Sequence, residues 1–330
     1  MAPFVPLAQP DLNGNERKYL LEAFDSGYLS HQGSFEDRFE REFSQWIGKN
    51  SIATSSGTAA LHLALLSLGI GRNHEVIVPS MTFGATASVV RHVGAWPILV
   101  DGDFSIDWNQ VRQKINFRTK AIIIVHLYGE KTEIPEDIKV PIIEDSCEAL
   151  WIRPTHIGCY SFYGNKVITT GEGGMLVGAP EVARLYRDGG FTSDYGMSVA
   201  GLNYRLTNLQ AAVGCAQLER ADDLISRRLR NASYYRQRLP GRGKWLFVVK
   251  TDHPLELKSY LKDFGIDSRP VFKPLHLSPV FQQEGHFPKA LEMWRSGLCL
   301  PTGPHVSERD IMRICKLVKE FHGNCAEVVS

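Results

Sequence analysis

Net charge is the first thing this sequence lacks. Its 37 Lys and Arg are matched by 36 Asp and Glu, leaving a formal +1 over 330 residues. No overall basic field exists to hold nucleic acid or an anionic membrane, so any phosphate must be recognised locally. Long apolar runs are missing as well. Residues 121–125 and 88–93 are the strongest, with Arg91 and His92 interrupting the second, and both fall far short of the about 20 residues that span a bilayer. Residues 1–20 carry no basic head, apolar stretch and small-residue cleavage site, so no secretory signal is read and a cytoplasmic location is expected. The six cysteines, Cys147, Cys159, Cys215, Cys299, Cys315 and Cys325, are scattered without zinc spacing or disulfide density and read as reduced packing residues. His126, His156 and His276 show no ligand spacing either, and no metal is expected. No Gly-Lys-Ser/Thr ends a Walker loop. Gly69-Ile-Gly71 closes a helical stretch instead of following a strand, which disfavours a nicotinamide dehydrogenase.

What is present is a hydrophobic fraction of 43% with 22% charged residues, enough for a large core and a smaller companion domain. Two amphipathic helices open the chain. Residues 15–26 place Tyr19, Leu20 and Phe24 on one side, and residues 35–46 place Phe35, Phe39, Phe43 and Trp46 at helical spacing, as core residues. From residue 51 short apolar runs alternate with helical stretches, the pattern of a largely parallel sheet covered by helices. The strands are expected at 52–54, 76–79, 97–100, 121–125, 142–145, 159–162 and 174–177, and the helices at 58–68, 85–93, 108–114 and 180–188. Ligands of such sheets bind beyond the carboxyl ends of the strands. One long helical region is expected over 207–239, broken by Pro240, Gly241 and Gly243. A small α+β domain then follows over 240–330, after a large domain over 1–239. It has a strand at 245–249, a helix at 254–264, an extended Pro-rich stretch at 268–281 and a closing helix at 308–322.

Three stretches carry chemistry. Thr54-Ser55-Ser56-Gly57-Thr58 leaves a strand and opens a helix, where free N–H groups, hydroxyls and a glycine form an anion pocket that fits a phosphate; an ordinary capped helix start is the plainer reading. Ile142-Ile143-Glu144-Asp145 ends an apolar strand in acids. Asp145 there needs a partner, and a pyridinium nitrogen, a metal or an Arg would each serve, as would a simple capping role. Lys166 follows Gly164-Asn165 and precedes Thr170-Gly171-Glu172-Gly173-Gly174, a setting that can desolvate an amine and make it a Schiff-base nucleophile. A solvated surface lysine is the alternative. Taken together and in this order, the three match the phosphate, ring nitrogen and aldehyde of pyridoxal 5'-phosphate.

The combination of Ser56-Gly-Thr-Ala-Ala-Leu-His-Leu-Ala-Leu65, Pro79-Ser-Met-Thr-Phe83, Glu144-Asp145, Gly164-Asn-Lys166 with its trailing glycines, and Asn203-Tyr-Arg205-Leu-Thr-Asn-Leu-Gln-Ala-Ala resembles the DegT/DnrJ/EryC1/StrS family. These are pyridoxal-phosphate sugar aminotransferases of fold type I, the aspartate aminotransferase-like α/β architecture, and the resemblance runs over residues 6–314. It implies that Lys166 joins the cofactor and moves protons, and that Asp145 keeps the ring nitrogen protonated. Gly57, Thr58 and Ser161 would contact the phosphate, Phe83 would stack on the ring, and Asn203 would reach the cofactor of a neighbouring subunit, making a homodimer with shared sites.

Glu148 stands where many members carry Gln or His beside the phenolic oxygen. The resulting Asp-x-x-Glu-Ala is similar to the perosamine- and viosamine-synthase branch, as is Gly265-Ile-Asp-Ser-Arg269-Pro-Val-Phe-Lys-Pro-Leu-His276. Arg269 is a candidate for a substrate phosphate or carboxylate, His276 for the sugar pocket and Arg205 for the amino donor's carboxylate; purely structural roles are the alternative for Arg269 and His276. The stretch before Trp245 is short for the family, which bears on the size of the small domain. The implied activity is ping-pong transfer of an amino group from L-glutamate to C4 of a nucleotide-linked 4-keto-6-deoxyhexose, giving a perosamine- or viosamine-type amino sugar. Amination at C3 is the near alternative. A sugar dehydratase of this family would lack the Schiff-base lysine, so Lys166 opposes it. A non-catalytic cofactor-binding protein is the alternative from another class.

Overall fold

The computed structural model describes residues 3–328. Helices α1 (Glu16–Asp25) and α2 (Ser34–Ile47) open the chain, and α2 packs beside the first strand of the main sheet, burying Phe35, Phe39, Phe43 and Ile47 along one stripe. The sheet is built from β1 (Ser51–Thr54), β2 (Glu75–Pro79), β3 (Trp96–Val100), β4 (Thr119–Val125), β5 (Ile142–Asp145), β6 (Ile157–Ser161) and β7 (Gly174–Val177), in the order β1-β7-β6-β5-β4-β2-β3. Only β7 runs antiparallel to its neighbours, so the mostly parallel sheet expected from the sequence holds with one reversed strand. Residues 162–173 make that reversal possible as a loop between β6 and β7, and Lys166 sits in it.

Helices α3 (Gly57–Ser67), α4 (Ala85–His92), α5 (Trp108–Lys114) and α6 (Val182–Arg187) cover the sheet. Helix α3 is buried on almost every side from Gly57 to Leu65, which explains why its sequence is apolar all round instead of striped. On the other face Ile77, Val100, Val111, Ile122, Ile124 and Ile142 form a separate cluster beneath α5.

The single long helix expected over 207–239 is two helices, α7 (Asn208–Leu218) and α8 (Ala221–Arg236). The break lies at Glu219 and Arg220, which are tied elsewhere. Glu219 accepts from Tyr19 and Asn15, and Arg220 holds Asp11 at 2.9 Å. These partners turn the chain, because a continuous helix would carry both side chains away from α1. Capping adds to this: Thr207 and Gln210 form a capping box at the start of α7, and Asp222 and Asp223 occupy the first turn of α8.

A second, antiparallel sheet follows, from β8 (Gly241–Arg242), β9 (Phe247–Lys250), β10 (Arg269–Pro270) and β11 (Gly297–Leu300), in the order β10-β11-β9-β8. With α8, α9 (Pro254–Asp263) and α11 (Glu308–Val328) it encloses a smaller core that includes Tyr235, Phe247, Leu257, Leu298 and Ile311. Helix α10 (Pro288–Ser296) and β11 have no counterpart among the expected elements. The helix is short, and its last residue abuts a three-residue apolar run, Leu298-Cys299-Leu300, with no turn residues between them except Gly297. The stretch at 268–281 is less extended than expected, since only Arg269–Pro270 pairs in a sheet and Leu275–Leu277 forms a 3-10 turn. Trp245 lies just outside β9, because its N–H and that of Lys244 both donate to the Tyr128 carbonyl. Among the described residues no helix is long and apolar enough to cross a membrane.

Beside the end of β1, Arg187 donates to the Ala53 carbonyl and lies between Glu40, at 2.7 Å, and Glu36, at 3.2 Å. Burial pushes the Glu36 carboxyl up to about 7; Arg187 opposes this, and Glu40 and Asp188 reinforce it. An acid with a raised folded value binds more protons when folded, so its contribution to stability falls as pH rises from its ordinary 4.5 towards about 7. Glu36→Gln is expected to flatten that part of the pH profile. Urea midpoints measured across the window test this, and a slope equal to that of the parent chain would contradict it.

Candidate active site

Strands β1, β2, β4, β5 and β6 all point the same way, so the residues that follow them meet on one edge. A cavity of about 500 Å³ opens there. It is lined by Gly57 and Thr58 from the β1–α3 turn, Phe83 after β2, Asp145 and Glu148 after β5, and Ser161 and Lys166 from the β6–β7 connection, while Arg269 enters from the second sheet. Eight of the eleven expected site residues are therefore brought together.

The turn into α3 is set by close packing. Ser56 caps the helix, its hydroxyl accepting from the Ala59 N–H at 3.0 Å, while the N–H groups of Gly57 and Thr58 have no carbonyl within the helix to receive them. A Cβ on Gly57 would lie 2.7 Å from the Cys147 sulfur and 2.8 Å from Cβ of Ser161, so only glycine lets the helix start approach β6. The result is a pocket floor of free donors beside the Ser161 side chain.

The two acids ending β5 point to opposite faces, as strand alternation requires. Glu144 accepts from the Thr155 and His156 N–H groups and from Nε2 of His126 at 3.1 Å. Burial opposes its ionisation, but those hydrogen bonds and the His126 ring hold its carboxyl below the usual value. The Thr132 N–H donates to Nδ1 of His126, which fixes the proton on Nε2 and marks this pair as structural. Asp145 faces the cavity. Its side chain accepts from Oγ1 of Thr86 at 3.0 Å and the Cys147 N–H at 3.2 Å, which orients it.

Lys166 Nζ lies 4.0 Å from Oε1 of Glu148 and 4.3 Å from the centre of the Trp245 ring. Glu148 is buried, and burial raises its carboxyl above the ordinary range, opposed by Lys166 and by the Tyr128 N–H, which donates to it at 2.7 Å. Tyr128 presents that N–H from a left-handed conformation, φ 50° and ψ 24°, that a bulky residue adopts only at a cost of about 1–3 kcal/mol. Arg269 places its guanidinium 5.2 Å over the Phe272 ring, and its Nε and Nη2 are buried with no hydrogen-bond partner. Phe83 is exposed at the cavity rim, 5.7 Å from Phe272.

Three expected residues lie elsewhere. Asn203 pairs its backbone with Asp188, and its side chain is exposed away from the cavity lining. Arg205 donates to the Asp188 carbonyl at 3.1 Å. His276 is buried behind β2, 2.6 Å from Oγ of Ser80 and stacked 4.1 Å from Phe287; burial lowers its tendency to protonate. Sequence reasoning missed Thr86, Tyr128, Asn165 and Trp245. No local signal marks Thr86, which reaches Asp145 from another element. Tyr128 had one, being followed by Gly129 directly after an apolar strand.

The DegT/DnrJ/EryC1/StrS aminotransferase family matches residues 10–319, nearly the whole chain. The chain belongs to that family. It is a pyridoxal-phosphate-dependent aminotransferase. The GDP-perosamine synthase of Caulobacter vibrioides is 38% identical over 94% of this chain and 96% of that protein, and the one of Escherichia coli O157:H7 is 34% identical over 97% and 99%. Among solved structures, DesV of S. venezuelae superposes with a TM-score of 0.88 at 31% identity, covering 97% of this chain and 99% of that one. The aminotransferase has groups that suit its cofactor: a donor-rich helix start that admits no Cβ, a strand-end acid and a lysine within the same cavity.

Gly57→Ala forces either the α3 start or Ser161 to shift. It is expected to weaken pyridoxal phosphate binding by at least about tenfold with little loss of helix content, since loss of a hydrogen bond to a charged group alone is of that order. Cofactor titration followed by visible absorbance checks it, and unchanged affinity would contradict the tight approach.

Proposed function

We propose that this aminotransferase moves the amino group of L-glutamate to C4 of a nucleotide-linked 4-keto-6-deoxy sugar, forming a 4-amino-4,6-dideoxy sugar nucleotide of the perosamine type. The observation that carries this reading is the full-length similarity, at 34–38% identity, to three GDP-perosamine synthases, together with Glu148 beside Lys166. The Streptomyces venezuelae dTDP-3-amino-3,4,6-trideoxy-alpha-D-glucose transaminase is 33% identical, and amination at C3 is the second reading.

In this reading the N–H groups of Gly57 and Thr58 with Ser161 hold the cofactor phosphate, as helix starts hold anions. Asp145, oriented by Thr86, keeps a proton on the ring nitrogen, and Phe83 covers the ring. When bound, pyridoxal phosphate supplies an electron sink that acidifies the carbon bearing the transferred nitrogen. Lys166 Nζ anchors the cofactor and, once released, takes and returns the proton at that carbon. Burial disfavours ionisation of Glu148, and its carboxyl would share a proton with the phenolic oxygen instead of repelling it. The unpartnered N–H groups of Arg269 receive the carboxylate of glutamate or a phosphate of the sugar nucleotide. Asn203, exposed outside its own cavity, reaches the site of a second copy in a homodimer.

Incubation with L-glutamate and either GDP- or dTDP-4-keto-6-deoxyhexose is expected to yield 2-oxoglutarate and a C4-amino product from one of them. A product aminated at C3, or none, would overturn the assignment. Lys166→Ala should retain pyridoxamine phosphate while losing about 10²–10⁴-fold in turnover, the usual weight of acid–base catalysis. Glu148→Gln should move the pH at which the bound cofactor's visible absorbance titrates; an unmoved titration would reject its contact with the phenolic oxygen.

A further inference from the structure

Trp245 has no place in the function just described, although it is among the most firmly held side chains in the molecule. It is 2% exposed and belongs to no strand or helix. Its N–H donates to the Tyr128 carbonyl at 2.9 Å, and its carbonyl accepts from Nη1 of Arg228 at 2.6 Å and from the Thr302 hydroxyl. Its indole N–H donates at 3.3 Å to the carbonyl of Asn165, the residue next to Lys166. Its ring lies 6.4 Å from Tyr128 at an interplanar angle of 11°, and Tyr128 continues the stack to Phe272 at 5.5 Å and 16°. Arg228 is fully buried, has no carboxylate partner among the described residues, and leaves its Nε without a partner. A guanidinium in that position is costly, and its hydrogen bonds go to the Trp245 carbonyl and the Thr302 hydroxyl.

All this fixes one surface, the indole face that carries Lys166 Nζ at 4.3 Å, with Oε1 of Glu148 at 4.0 Å from the same amine. We propose that Trp245 is a positioning residue for Lys166, its indole face seating the amine as an ammonium once it has taken up a proton and while it is not joined to the cofactor. The proposal deepens the functional reading and rests on Lys166 being the lysine that carries the cofactor. An amino-group transfer requires Lys166 to let go of the cofactor and stay within reach. A four-carbon side chain released into an open cavity would otherwise sample many rotamers. An aromatic face attracts an ammonium without consuming its protons or competing for a covalent bond. Glu148 on the other side makes the seat two-sided, and the indole N–H ties it to the backbone of the loop that carries the lysine.

The test uses the cofactor-free full chain, so that it does not depend on turnover. Mono-, di- and trifluorotryptophan placed at position 245 weaken the attraction of the ring for a cation stepwise with little change of shape. Brief reductive methylation with limiting formaldehyde, read by peptide mass spectrometry, reports the reactivity of Lys166 against exposed Lys250 as internal reference. Lys166 labelling is expected to rise with each fluorine, reaching about three- to tenfold for the trifluoro chain, while thermal midpoints stay together. Trp245→Phe, whose ring attracts a cation less than indole does and which lacks the indole N–H, should label between the parent and the trifluoro chain, and Trp245→Leu should label at least as fast as the trifluoro chain. Labelling that is flat across the fluorinated series would overturn the proposal. Borohydride fixation of the cofactor on a residue other than Lys166 would instead sink the functional reading, whatever the labelling shows.

Discussion

Asp145, Glu148 and Lys166 have given up much of their water in the main cavity, and a buried charge is tolerable only where hydrogen bonds or an opposite charge replace that hydration. The rest of the site follows from how each group meets this demand. Asp145 is served by the Thr86 hydroxyl and a backbone N–H. Glu148 is served by the Tyr128 N–H, and that donor is available only because Tyr128 accepts a left-handed backbone. Lys166 is met by Glu148 and an aromatic face. Arg269 keeps its buried Nε and Nη2 unanswered, and the N–H groups at the start of α3 are free as well, so an anion would complete the cavity.

The sheet makes this concentration of charge affordable by gathering strand ends. Val125 and Asp145 are in register, and Asp145 pairs onward with Cys159, so the ends of β4, β5 and β6 lie side by side. Reversing β7 inserts the Lys166 loop at the same edge. Glycine is required at two contacts of this edge. Gly57 lies against Cys147 and Ser161, and a Cβ on Gly174 would fall 2.5 Å from the Ser56 backbone. The second core, between the small sheet and α8, α9 and α11, matters to the site because its sheet delivers Arg269 and the chain beside it delivers Trp245.

Much of the scaffold was legible because its signals are local. Apolar runs bounded by turn residues marked all seven strands of the main sheet to within one or two residues at most ends, and Gly57, Asp145 and Lys166 stood out by following such runs. The missed and shifted parts share a physical cause. The break at Glu219 and Arg220 depends on partners about 200 residues away in the chain, Asp11 and Tyr19. Strand β11 is four residues long and follows α10 without a loop. Thr86, Tyr128 and Trp245 acquire their parts only by contacts across elements.

By itself the sequence determined the class of fold, the alternation of strands and helices, and the prominence of Gly57, Asp145 and Lys166 at strand ends, because periodicity and turn chemistry act over a few residues. Tertiary structure alone decided that Glu144 is structural while Asp145 faces the cavity, that His276 packs behind Ser80 instead of lining the pocket, and that a distant indole lies under the lysine. Those outcomes depend on which side of a strand faces which neighbour and on how separate segments converge, and no short-range pattern encodes either.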